Sequence, residues 1–115
     1  MLFRSDNDYY AFNNSSSQKN IKVTLTNLPA DYDMKLYGKN NILLGTSTNT
    51  GTTPETIVYN NSSKATTYKV FIYGKTSNDW SNTNCYTLNV TIGSSPLTAT
   101  SGVGVINDEI GRAHV

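Results

Sequence analysis

Residues 21–38 read IKVTLTNLPADYDMKLYG, and the spacing of their apolar side chains decides the fold class. In the first half, Ile21, Val23 and Leu25 alternate with Lys22, Thr24 and Thr26, the two-residue period of a strand with one buried face. In the second half, Tyr32, Met34 and Leu36 fall on one face, and Asp33, Lys35 and Tyr37 on the other. Pro29 lies between them and has no N–H to give a ladder, so the first strand ends before it and the chain turns a corner.

The same alternation recurs on both sides of this stretch. Residues 8–12 form a short strand with Tyr10 and Phe12 on one face, followed by the polar loop NNSSSQKN. After the turn at Gly38-Lys39-Asn40-Asn41 come strands at 42–47 and 55–60, with Gly45 marking a bulge or a close approach. In TYKVFIYG, residues 67–74, Tyr68, Val70 and Ile72 oppose Lys69, Phe71 and Tyr73. A last strand carries Tyr86, Leu88, Val90 and Ile92 in strict alternation. About seven or eight short strands separated by turn residues predict an all-β, antiparallel, jelly-roll-like β-sandwich. Its expected core is Tyr10, Phe12, Ile21, Val23, Leu25, Leu28, Tyr32, Met34, Leu36, Ile57, Tyr59, Tyr68, Val70, Ile72, Tyr86, Leu88 and Val90.

Four of these stretches, DNDYYAF at 6–12, the 21–38 segment, TYKVFIYG at 67–74 and CYTLNV at 85–90, resemble in order the bacterial pre-peptidase C-terminal domain. That family is related to the collagen-binding modules of secreted peptidases. The resemblance spans residues 6–92 and implies a non-catalytic accessory β-sandwich module of a secreted enzyme such as a peptidase. Such a module aids secretion, maturation or substrate attachment, and its partner is a covalently linked catalytic domain. The implied location is extracellular or at the cell surface, and the expected state is a monomer.

Composition bounds the alternatives. The 115 residues suffice for one domain, with 37% hydrophobic and 15% charged residues. A formal charge of +1 supplies no field to collect nucleic acid or an anionic membrane. No apolar run approaches the length of a membrane-spanning helix. The domain is read as residues 1–93, with an N-terminal part and its secretion signal expected upstream. Residues 94–108 are read as a linker or tail. The final EIGRAHV, residues 109–115, is read as translated sequencing adapter. Cys85 is the only cysteine, which excludes an intrachain disulfide, and it is expected to be a small, at least half-buried residue.

With His114 set aside, the chain offers no base for a Ser or Cys nucleophile, and a structural zinc site lacks ligands by count. No enzymatic activity is expected. The pair Asp31 and Asp33 could in principle flank a scissile glycosidic bond, but nothing around it builds a cleft. Asp31 is instead expected to support the corner after Pro29, with Asp33 a solvated strand residue. The acidic turn Asp6-Asn7-Asp8 offers oxygens of the kind calcium takes. The resemblance also implies calcium held by carboxylates just before the Tyr-Tyr strand, which here are Asp6 and Asp8.

A second function follows from the face opposite the core. Tyr37, Phe71 and Tyr73 share it with Lys35 and Lys69, an aromatic surface suited to polysaccharide or extracellular protein. Collagen-binding relatives use tyrosines at the end of the strand like 67–73. Tyr73 matches, whereas Lys75 replaces the next aromatic of that pattern. The alternative cover for this face is a neighbouring loop carrying Trp80. A ligand-free structural spacer is the third expectation.

Overall fold

Each alternating stretch becomes a strand, and their apolar faces meet between two antiparallel sheets. The computed structural model describes residues 7–60, 62, 66–76, 78, 79, 81, 84–99 and 106–108. The strands are β1 (Asp8–Asn13), β2 (Asn20–Thr26), β3 (Tyr32–Tyr37), β4 (Leu43–Ser47), β5 (Glu55–Tyr59), β6 (Thr67–Gly74), β7 (Thr87–Gly93) and β8 (Ile106–Asp108). One sheet has the order β1-β6-β3-β4 and the other β5-β2-β7-β8. The antiparallel β-sandwich expected from the alternation is therefore the observed architecture.

The central pairings set which residues face inward. On β2, Ile21, Val23 and Leu25 stand opposite Ile92, Val90 and Leu88 of β7. Across the sandwich, Met34 and Leu36 of β3 stand opposite Ile72 and Val70 of β6. All of these are buried, and together with Phe12, Leu28, Tyr32, Ile57, Tyr68 and Tyr86 they form one core. Ile92 belongs to it as well. Tyr10 and Tyr59 were expected inside but are only partly buried against its edge, because β1 and β5 are edge strands.

The corner at 27–31 carries the chain from one sheet to the other, so β2 and β3 are not hairpin partners. Asn27 takes a positive φ of 56° there, a conformation an Asn tolerates better than most residues. At the next turn Asn40 and Asn41, rather than Gly38, carry the positive φ. Opposite Leu36 and Tyr37 the partners are Gly45 and Leu43, which leaves Leu44 as the extra residue of a bulge. Gly45 is also a point of close approach, since a Cβ there would sit 2.8 Å from Ile57 Cγ2 of the facing sheet.

The segment after Gly93 is held to the body at two places. Asn60 donates to the Leu97 carbonyl at 2.9 Å and accepts from the Leu97 N–H at 3.0 Å. β8, inside the stretch read as a linker or tail, pairs with residues 88–90 of β7. Cys85 is exposed, contrary to the burial expected for it, because alternation into β7 turns Tyr86 inward to the core and Cys85 outward. Trp80 and residues 109–115 lie outside the described residues.

Gly45→Ala is expected to destabilise the domain by about 1–3 kcal/mol, since buried Ile57 must yield to the added methyl. Urea titration of both proteins checks this, the midpoint falling with an unchanged slope.

Candidate functional site

The outer face of the β1-β6-β3-β4 sheet collects the residues left over by the core. Register places Tyr9 beside Phe71, Phe71 beside Lys35, and Ala11 beside Lys69, which in turn pairs with Tyr37. The rings do not lie separately. Tyr9 stacks on Phe71 with centroids 4.6 Å apart, and Phe71 stacks on Tyr73 at 5.1 Å. The Lys35 ammonium sits 5.5 Å from the centre of the Tyr73 ring, within cation–π range.

The most exposed ring of the row is Tyr9, at 67%. Sequence reasoning placed Tyr37, Phe71 and Tyr73 on this face and passed over Tyr9. The signal for it was present: Tyr9 has the opposite parity to Tyr10 and Phe12 and so points outward. Phe71 packs against two other rings, so it acts as a spacer that holds Tyr9 and Tyr73 rather than as a free platform. Tyr37 stands apart from the stack, across a groove of about 550 Å³ lined by Tyr9, Ala11, Tyr37, Asn41 and Lys69. The small side chain of Ala11 leaves this depression between larger neighbours. At its rim Lys69 Nζ donates to Asn41 Oδ1 at 3.0 Å.

Where β3 begins, residues from both sheets and the corner between them gather into a group of carboxylates. Asp31, Asp33 and Glu55 each bring one carboxylate oxygen to within 4.8 Å of the others. Asp33 was expected to be solvated, yet it is only 4% exposed, and Glu55 is fully buried. The 47–51 segment anchors two of the three. Gly51 N–H donates to Asp31 Oδ2 at 3.0 Å, while Asn49 N–H, at 3.0 Å, and the Ser47 hydroxyl both donate to Glu55 Oε1. Asp79 is occupied by its own surroundings: Asp31 N–H donates to Oδ1 at 3.1 Å, and Thr76 N–H and hydroxyl donate to Oδ2.

Burial first, and then the charges of Asp31, Glu55 and Asp79, push the Asp33 carboxyl up to about 6, and Lys75 offsets only part of this. The Tyr73 phenol, which pairs with Asp33 across the strands, is held above its ordinary value by burial and then by that carboxylate.

Of the two expected calcium ligands, Asp8 is not part of this group. Asp8 accepts a hydrogen bond from the Tyr86 hydroxyl, and Asp6 lies outside the described residues. Compared with models of known protein families and with curated protein sequences, the chain matches none.

A pH dependence follows from Asp33 with divalent cations chelated. The folded carboxyl holds its proton up to about pH 6, while the unfolded one loses it near 3.8. Stability is therefore greatest at the acid end of that window and falls as pH rises through it. Thermal melts between pH 4 and 7 are expected to show this decline, and Asp33→Asn to flatten it.

Proposed function

We propose that the chain is a non-catalytic attachment module of a secreted bacterial enzyme such as a peptidase, extracellular or surface-bound and working as a monomer. Its task is to hold the linked catalytic domain on an extended polymer. The sandwich architecture agrees with the resemblance to the pre-peptidase C-terminal domain, which supplies the accessory role. The observation that carries the reading is the Tyr9–Phe71–Tyr73 stack beside the Tyr37 groove.

Polysaccharide is the favoured ligand within this reading. A sugar ring has apolar C–H faces that pack on aromatic rings and a polar rim that seeks donors and acceptors. Tyr9 and Tyr37 supply the first, and Asn41 and Lys69 the second. The scaffold is rigid, because the rings stand on three paired strands rather than on loops.

Adsorption to insoluble cellulose and chitin, with gelatin-coated beads in parallel, tests the proposal. The chain is expected to bind a polysaccharide, and Tyr9→Ala and Tyr37→Ala each to weaken that binding about tenfold or more. Both rings lie at the surface, so unfolding free energy should drop by no more than about 1.5 kcal/mol. Binding to gelatin alone would select the extracellular-protein reading. Adsorption unaltered in both variants would remove the aromatic face from the function.

A further inference from the structure

We propose that Asp31, Asp33 and Glu55 form a calcium site at the end of the sandwich. Two segments about twenty residues apart in sequence build it: the corner after Pro29 running into the start of β3, and the start of β5. Their convergence is not an exposed acidic patch. Asp33 and Glu55 are more than nine-tenths buried. Asp31 Oδ1, Asp33 Oδ1 and Glu55 Oε2 are all buried and lack a hydrogen-bond partner.

The division of labour within the carboxylates points to a cation. In Asp31 and Glu55 one oxygen is tied down by donors from 47–51, and the other is left bare. A buried acceptor without a partner costs about 1–3 kcal/mol, more when it is charged. Three such oxygens together call for a shared positive group. Lys75 is exposed and does not bond to them. Asp79 adds negative charge nearby, but its own oxygens are already engaged, so it is not counted as a ligand.

Distance and ligand type favour calcium. Two oxygens bound to one calcium ion at about 2.3–2.6 Å each lie no more than about 5 Å apart. Asp31, Asp33 and Glu55 each bring one carboxylate oxygen to within 4.8 Å of the others, so a single ion can reach all three side chains. Calcium accepts six to eight oxygens in irregular geometry, with water or loop carbonyls completing the set, whereas magnesium demands a small, near-ideal octahedron. Among the described residues the site shares no ligand with the aromatic face and does not include Asp8.

The test uses the full chain and calcium chloride. In EDTA and then in 10 mM calcium at pH 7.5, the melting midpoint is expected to rise by about 5–10 °C, the shift for a ligand present at tens of times its dissociation constant. Asp33→Asn removes a ligand and also a repelled charge. This variant should melt at or above the parent in EDTA and lose most of the calcium shift. Asp31→Asn, followed by isothermal titration with calcium chloride, provides a second reading should Asp33→Asn fail to fold. Asp8→Asn should retain the shift. The proposal is overturned if calcium leaves the parent unmoved, if the shift survives intact in Asp33→Asn and Asp31→Asn, or if only Asp8→Asn abolishes it.

Discussion

The passage from β2 to β3 constrains the rest of the molecule. Between Thr26 and Tyr32 the chain leaves one sheet and enters the other, with Asn27 in a left-handed conformation and Leu28 buried. Pro29 prevents β2 from running on, and the turn delivers Tyr32 inward on the opposite layer. Once that crossing is made, parity fixes everything downstream on β3: Met34 and Leu36 go to the core, and Lys35 and Tyr37 to the outer face. A slip of one residue at the corner would exchange the two sets. The Asp31 carbonyl accepts from Lys75 N–H at 2.9 Å, and its N–H donates to Asp79, so the loop after β6 braces the same corner.

The corner also explains how the carboxylates come to be buried. Pairing of β3 with β4 begins at Met34 with Ser47, so Asp33 has no β4 partner. The 48–54 segment fills that end of the sheet instead, and Glu55 follows it directly into β5. Ser47 and Glu55 thus face each other from different sheets, joined by a hydrogen bond. The arrangement places negative groups where solvent is scarce. An apolar core would not need them there, and their retention at the mouth of the sandwich makes sense when a cation completes the cluster.

Much of this was legible in the sequence, and the limits have physical reasons. Alternation identified the faces of β2, β3, β6 and β7 because each has one side against the core. The same signal overstated Tyr10 and Tyr59, since periodicity reports which way a residue points, not whether its strand lies at a sheet edge. Tyr37, Phe71 and Tyr73 were recognisable as outward. Their stacking, and the exposed role of Tyr9, depend on β1 pairing with β6, about sixty residues away along the chain. Asp31 and Asp33 were visible as a neighbouring pair. Glu55 was not, because its approach to them arises only when the two sheets close on one another. Local sequence favoured Asp6 and Asp8 as metal ligands for the opposite reason: they sit two apart in one acidic turn.

The aromatic stack and the acidic cluster meet at one cross-strand pair, Asp33 and Tyr73. From that pair the ring row runs outward through Phe71 to Tyr9, and the carboxylates run inward to Glu55. The charge at Asp33 bears directly on the Tyr73 phenol, whose ring also lies under the Lys35 ammonium. A cation at the cluster would relieve the repulsion that now opposes folding of this end of β3, and so steady the strand on which Lys35 and Tyr37 are mounted. The surface would then be held by two supports, the core beneath its strands and the ion at their end. Because the ring row is fixed by register and stacking, the ion would act on the stability of this face and not on its shape.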